Sequence, residues 1–229
     1  MNRRRIPEDL LRQTTTWLND NDCRWALIGD AAASIKTGRV RAYKIDVAVA
    51  AENSRDAVAL CERLRHELNF STLTQIPEHF GDGFAMSAMA RHRDRGVLDA
   101  PIEWILGPAV REGRREELRL FFHRRGVEQT AVDRAEECRF PGTAGIRIAK
   151  TGDLLAYRIL AMPGFDDGHD HEVIEALIDH ASSCELEEAR AILERIDQGR
   201  EKDFERVLDN FLERRDERGR RPEGVGAVR

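Results

Sequence analysis

The segment Trp25 to Ala51, WALIGDAAASIKTGRVRAYKIDVAVAA, constrains the fold of this chain more than any other stretch. An apolar run (Trp25, Ala26, Leu27, Ile28) has the length of a short strand and meets a glycine, Gly29. An alanine-rich helix follows and ends near Gly38, a residue type suited to a left-handed helix cap. A basic loop carrying Arg39 and Arg41 then leads into a second strand, Tyr43 to Val49. Side chains alternate along a strand, so Lys44 and Asp46 share one face and Tyr43, Ile45, Val47 and Val49 the other.

The remaining pattern places further elements around this unit. Pro7 opens a helix that runs to about Asn19, and Asn19-Asp20-Asn21-Asp22 forms the turn into the first strand. Asn53 or Ser54 caps a helix to Leu68, with Val58, Leu60, Cys61 and Leu64 as its apolar stripe. Phe70 to Ile76 reads as a short strand. Phe84 to Arg91 and Val97 to Leu106 read as a hairpin, with Pro101 marking a bulge or an edge. Arg114 to Arg125 reads as a helix or a strand–helix junction, and Ile146 to Ala149 as a last strand. Helices then occupy about 151–160, 171–181, 185–198 and 202–215. The expected class is α+β, a small mixed sheet with flanking helices followed by a helical C-terminal half. The corresponding boundaries are 1–150 for the α/β domain, 151–216 for the helical region and 217–229 for a disordered tail.

Composition narrows the function classes. The chain has 229 residues and a formal net charge of −5, so no global field draws it to nucleic acid or an anionic membrane. No apolar run reaches the length of a membrane span, and MNRRRIPEDLLRQ lacks the apolar stretch of a signal peptide, which makes a cytoplasmic location the expectation. The four cysteines, Cys23, Cys61, Cys138 and Cys184, are scattered without zinc-like spacing and read as free thiols. P-loop, nucleophile-elbow and zinc-protease motifs are missing from the sequence.

The order strand, glycine, short helix, arginine-bearing loop and acid-bearing strand resembles the opening of the polymerase-β-like nucleotidyltransferase superfamily. The nearest likeness is to its small bacterial branch containing the abortive-infection toxins. Members of that branch read Gly-Gly or Gly-Ser, a short helix, an Arg-rich loop and then Asp-x-Asp on a strand. Two aspartates two residues apart supply hard oxygen ligands to magnesium, and a third carboxylate comes from a neighbouring strand. On this resemblance Asp46 is the second aspartate and Lys44 stands in place of the first. Glu103, in Ile-Glu-Trp-Ile-Leu, matches the third carboxylate, with Asp99 as an alternative. Gly29 and Asp30 occupy the phosphate-facing glycine pair, and Arg39, Arg41 and Arg158 are the candidate phosphate-binding cations. Arg158 lies in Asp153-Leu154-Leu155-Ala156-Tyr157-Arg158, which is similar to a family segment carrying a nucleotide-facing lysine.

The departures carry the functional expectation. An ammonium has no acceptor and cannot ligate a cation, so Lys44 removes one metal ligand. Its charge is expected to neutralise Asp46 and Glu103 in the space of the lost ion. Asp30 reads as an N-cap of the short helix and sets a negative charge where phosphate would bind. Downstream, Asp170 keeps one acid of a two-acid pattern and Val173 replaces the other. His169, Asp170 and His171 also offer a metal-cluster reading, against which the diverging spacing weighs. Arg91, Arg93 and Arg95 could join Arg39 and Arg41 in a basic rim. The expectation is a nucleotidyltransferase fold impaired in metal-dependent transfer that acts as a binding or regulatory module, with no cofactor and with a nucleotide, a nucleic acid or a protein as partner. The alternative is an active magnesium enzyme that moves a nucleoside monophosphate onto RNA, protein or a small hydroxylated acceptor, with Asp46 and Glu103 as metal ligands. A third reading is a toxin–antitoxin-type partner protein that makes its contacts through the charged C-terminal helices.

Overall fold

A computed structural model describes residues 6–52, 54–75, 102–108, 117–122, 127–143, 145–161, 168–196 and most of 202–213. The elements run α1 (Glu8–Asp20), β1 (Trp25–Ile28), α2 (Gly29–Thr37), β2 (Lys44–Val49), α3 (Ser54–Glu67), β3 (Phe70–Gln75), β4 (Ile102–Pro108) and β5 (Glu117–Phe122). They continue as α4 (Glu128–Arg134), β6 (Glu136–Cys138), β7 (Ile146–Ile148), α5 (Thr151–Ala161), α6 (Gly168–His180) and α7 (Ser183–Ile196). Residues 204–211 are again helical.

The strands form one mixed, seven-stranded sheet in the order β3-β4-β5-β2-β1-β7-β6. β1 and β2 are antiparallel, with Ile28 opposite Asp46, whereas β2 and β5 are parallel, with Asp46 opposite Arg119. The α+β class and the mixed sheet agree with expectation. β1 lies near the middle, which is why all four of its residues are buried and its sequence is a continuous apolar run rather than an alternating one. Trp25 can be fully buried because its indole N–H donates to Asn19 Oδ1 at 3.0 Å.

Several expectations need correction. Residues 117–122 are a strand, not a helix, because Leu118 and Leu120 alternate into the core while Phe121 and Phe122 fill it at the strand end. β4 pairs with β3 and β5, so its antiparallel neighbours are residues 70–75 and 117–122. The expected first hairpin arm, 84–91, lies outside the described residues, as do Asp99, Arg91, Arg93, Arg95 and the 217–229 tail. α4 and β6 are additional elements.

The C-terminal helices share the sheet's core. Leu154, Leu155, Ala156, Tyr157 and Ile159 of α5 are buried in one apolar cluster with β1, β2 and β5. Tyr157 meets Phe121 edge-to-face at 5.9 Å. Gly152 allows α5 and α7 to cross closely, since a Cβ there would come within 2.7 Å of the Glu185 carbonyl oxygen. α7 begins with a capping box. The Ser182 backbone N–H donates to Glu185 Oε2 at 2.8 Å, and the Glu185 N–H donates back to Ser182 Oγ at 3.3 Å. All four cysteines are free thiols, of which Cys184 is exposed; burial raises the pKa of Cys61. Among the described residues no helix is long and apolar enough to cross a membrane.

Candidate functional site

The site forms where β1 ends, α2 begins and β2 passes alongside. Gly29 carries the chain from strand to helix with φ of +64°, a left-handed conformation that glycine adopts without steric cost. A second reason requires glycine there: a Cβ at position 29 would collide with the Asp46 carboxylate. The start of α2 and the acid on β2 are therefore packed against each other. The first turn of α2 places its positive dipole end beside two carboxylates, those of Asp46 and Asp30.

Asp46 is buried, with a side chain only 2% exposed. Its partner is Arg119, directly opposite on the adjacent strand β5. Arg119 Nε donates to Asp46 Oδ1 at 2.6 Å and Nη2 to Oδ2 at 2.5 Å, a fork that takes up both carboxylate oxygens. Burial alone would lower the pKa of the guanidinium; attraction and hydrogen bonding to Asp46 outweigh this and raise it. The guanidinium also lies over the Phe121 ring, 5.3 Å from its centroid.

A second pair lies alongside. Asp30, in the first turn of α2, forms an ion pair with Arg158 of α5, and both side chains are largely buried. The N-cap reading of Asp30 is corrected here. Ile28 occupies the cap position without a side-chain cap bond, and the Asp30 carboxylate is turned to Arg158. Arg158 is thus near the acid that the sequence placed in the phosphate position. It ties α5 to α2.

The other predicted residues divide as follows. Lys44 is half-buried at the head of β2, on the face of Asp46, with Glu117 as its cross-strand neighbour. The cation forked onto Asp46 is Arg119, a residue the sequence reading did not single out. Glu103 lies on β4, opposite Phe121 and separated from β2 by β5. On the strand next to β2, where the family resemblance places a third carboxylate, the residue opposite Asp46 is Arg119. Arg39 and Arg41 are exposed on the α2–β2 connection, and Arg39 pairs with Asp179 of α6. Val173 is buried in the core, a packing role. His169 and Asp170 lie in the first turn of α6, and among the described residues no three His, Cys, Asp or Glu side chains converge as a metal site.

Arg119 is the residue that sequence reasoning missed. Its signal was weak but present: one cation between Leu118 and Leu120 on a segment that ends in two phenylalanines. Two-residue alternation would have marked 117–122 as a strand. Its parallel pairing with β2, and so the approach of Arg119 to Asp46, is a tertiary fact.

Both oxygens of the buried Asp46 carboxylate are thus taken up by a guanidinium.

The sequence matches no protein-family model and no curated protein. Solved structures do match. The crystal structure of an antigenic nucleotidyltransferase-like protein from Paracoccidioides brasiliensis aligns with a TM-score of 0.52 at 16% identity, covering 87% of this chain and 91% of that one. The solution structure of the antibiotic-resistance factor ANT(2'')-Ia aligns with a TM-score of 0.51 at 11% identity, covering 82% of this chain and 91% of that one. This chain has the nucleotidyltransferase fold. At these identities the likeness concerns the fold alone.

Proposed function

We propose that this nucleotidyltransferase-fold protein does not carry out magnesium-dependent nucleotidyl transfer and acts as a binding or regulatory module. The observation that carries the reading is the bidentate Arg119–Asp46 pair, which places a cation on Asp46, the strand acid that the resemblance assigns to metal alongside Glu103. Lys44 beside it and Asp30 at the helix start support the same reading. One removes a ligand; the other sets a carboxylate at the end of α2 where a phosphate would be held. Kinship with the small bacterial branch that contains abortive-infection toxins rests on the order Gly29, short helix, arginine loop and Asp46, and a protein partner would suit such kinship.

The test is calorimetric titration of the full chain with each nucleoside triphosphate, with magnesium and with a chelator. The expected result is no magnesium-dependent binding. Micromolar binding that appears only with magnesium would overturn the reading in favour of an active transferase that uses Asp46 and Glu103.

A further inference from the structure

Asp46 and Asp30 are each answered by an arginine, whereas the edge beside them is differently built. From Gly38 to Tyr43 the chain is an irregular connection whose residues alternate in burial: Val40 and Ala42 are buried, and Arg39, Arg41 and Tyr43 are exposed. Tyr43 is 69% exposed, the one large apolar side chain so exposed among the described residues. The stretch 31–45 contains Lys36, Arg39, Arg41 and Lys44 and no acid, in a chain whose net charge is −5. Lys36 is answered by Glu136 at 2.9 Å and Arg39 by Asp179. Arg41, exposed one dipeptide step from Tyr43, forms no ion pair with any described residue.

The connection is also held in shape. Gly38 caps α2 in a left-handed conformation and donates its N–H to the Ser34 carbonyl at 2.9 Å. Ser34 Oγ donates to the Val40 carbonyl at 2.8 Å, and the Arg39 N–H donates to Thr37 Oγ1 at 3.2 Å. A ligand that docks here meets a surface whose backbone is already ordered, which lowers the entropy cost of binding.

We propose that this ridge is a contact surface for single-stranded nucleic acid, in which a base stacks on Tyr43 and the adjoining phosphates are met by Arg41 and, secondarily, Arg39. An aromatic face next to a cation is the pairing that binds unpaired strands without reading their sequence. A protein partner would also value an exposed tyrosine and arginine. Arg41, exposed beside Tyr43 and in no ion pair with a described residue, favours a polyanion. The proposal extends beyond the reading of the Asp46 site and does not depend on whether that site takes a metal.

Fluorescence anisotropy with a labelled mixed-sequence RNA and the matching single-stranded DNA, measured with a chelator across a salt series, tests it. The wild-type chain should bind, more weakly as salt rises. Tyr43→Ala should weaken binding roughly five- to hundredfold with little change in salt slope. Arg41→Gln should weaken binding of all sequences alike and lower the slope by about 0.7. Both side chains are exposed, so the fold should be kept, as circular dichroism would verify. Binding of RNA alone would add a contact to the 2′-hydroxyl; binding of both would leave stacking and phosphates as the whole recognition. Absence of binding to either strand at about 50 mM salt overturns the proposal. So does affinity unchanged in both variants, or a protein partner lost in both variants from a chain with no oligonucleotide affinity.

Discussion

A buried carboxylate must be paired or it must hold a proton, and at Asp46 the chain supplies the pair from a neighbouring strand. The fork geometry of arginine matters here, because a lysine could satisfy only one oxygen at a time and would leave the other desolvated. Removing Arg119 strands the acid. Arg119→Met should therefore lower the free energy of unfolding by ~3 kcal/mol, whereas the Asp46→Asn, Arg119→Met double variant should recover much of that loss, as buried pairs do when both charges are removed. Urea denaturation of the four proteins in this cycle gives the coupling directly; additive effects would mean that the pair contributes nothing beyond its separate side chains. Gly29 is the other residue with no substitute. Gly29→Ala imposes a left-handed conformation on alanine and drives its Cβ into Asp46, so a loss exceeding about 1 kcal/mol is expected in the same assay.

At the scale of elements, the junction of α4, α5 and α7 contains a different kind of charge. Asp153, in the first turn of α5, has a fully buried carboxylate, and Arg134 of α4 stands 3.7 Å from it while also pairing with Glu188 of α7. Burial pushes the Asp153 pKa up to about 6; Arg134 pulls it down and Glu188 pushes it up again. The folded chain thus binds this proton more tightly than the unfolded chain does. Its contribution to stability is greatest below the unfolded value near 4 and is lost as pH rises through about 6, by an amount on the order of 3 kcal/mol. Asp153→Asn should flatten the fall in stability between those pH values and leave the variant more stable than the wild type at pH 8, read from unfolding midpoints across a pH series. An equally steep fall in the variant would assign the slope to another group. This junction also shows what periodicity can and cannot deliver. α5 was legible because Leu154, Leu155 and Ile159 repeat at helical spacing and Thr151 follows a short strand. α4 and β6 were not, because seven- and three-residue elements are too short to show a period. β5 was read only as a helix or a strand–helix junction because its charged residues, Glu117 and Arg119, obscured an alternation that burial against β2 and β4 makes plain.

On the scale of the whole molecule, the strand–helix–strand opening was readable because Gly29, Gly38 and the apolar β1 are local devices, and the fold follows from them with the helices that cover the sheet. The state of the site was only half readable. Lys44 departs from the resemblance by position alone, but the pairing of Asp46 depends on a parallel pairing between residues 73 positions apart, which no spacing in the sequence encodes. That difference has a direct consequence for any attempt to build metal binding into this site. If Lys44 alone kept magnesium out, Lys44→Asp would set two carboxylates on one strand face and give magnesium-dependent nucleotide binding with them. Because Arg119 occupies Asp46 from the adjoining strand, Lys44→Asp alone should show no gain in a magnesium titration followed by calorimetry. Combined with Arg119→Asp, it sets three carboxylates on adjoining strands, with their repulsion relieved only by a cation. The double variant should consequently be less stable than the wild type in chelator, and its thermal midpoint should rise as magnesium is added, an effect that Lys44→Asp alone would lack. A rise in midpoint with Lys44→Asp alone would show that the guanidinium yields to the metal, and Arg119 would then be a movable gate on a competent site rather than its permanent occupant.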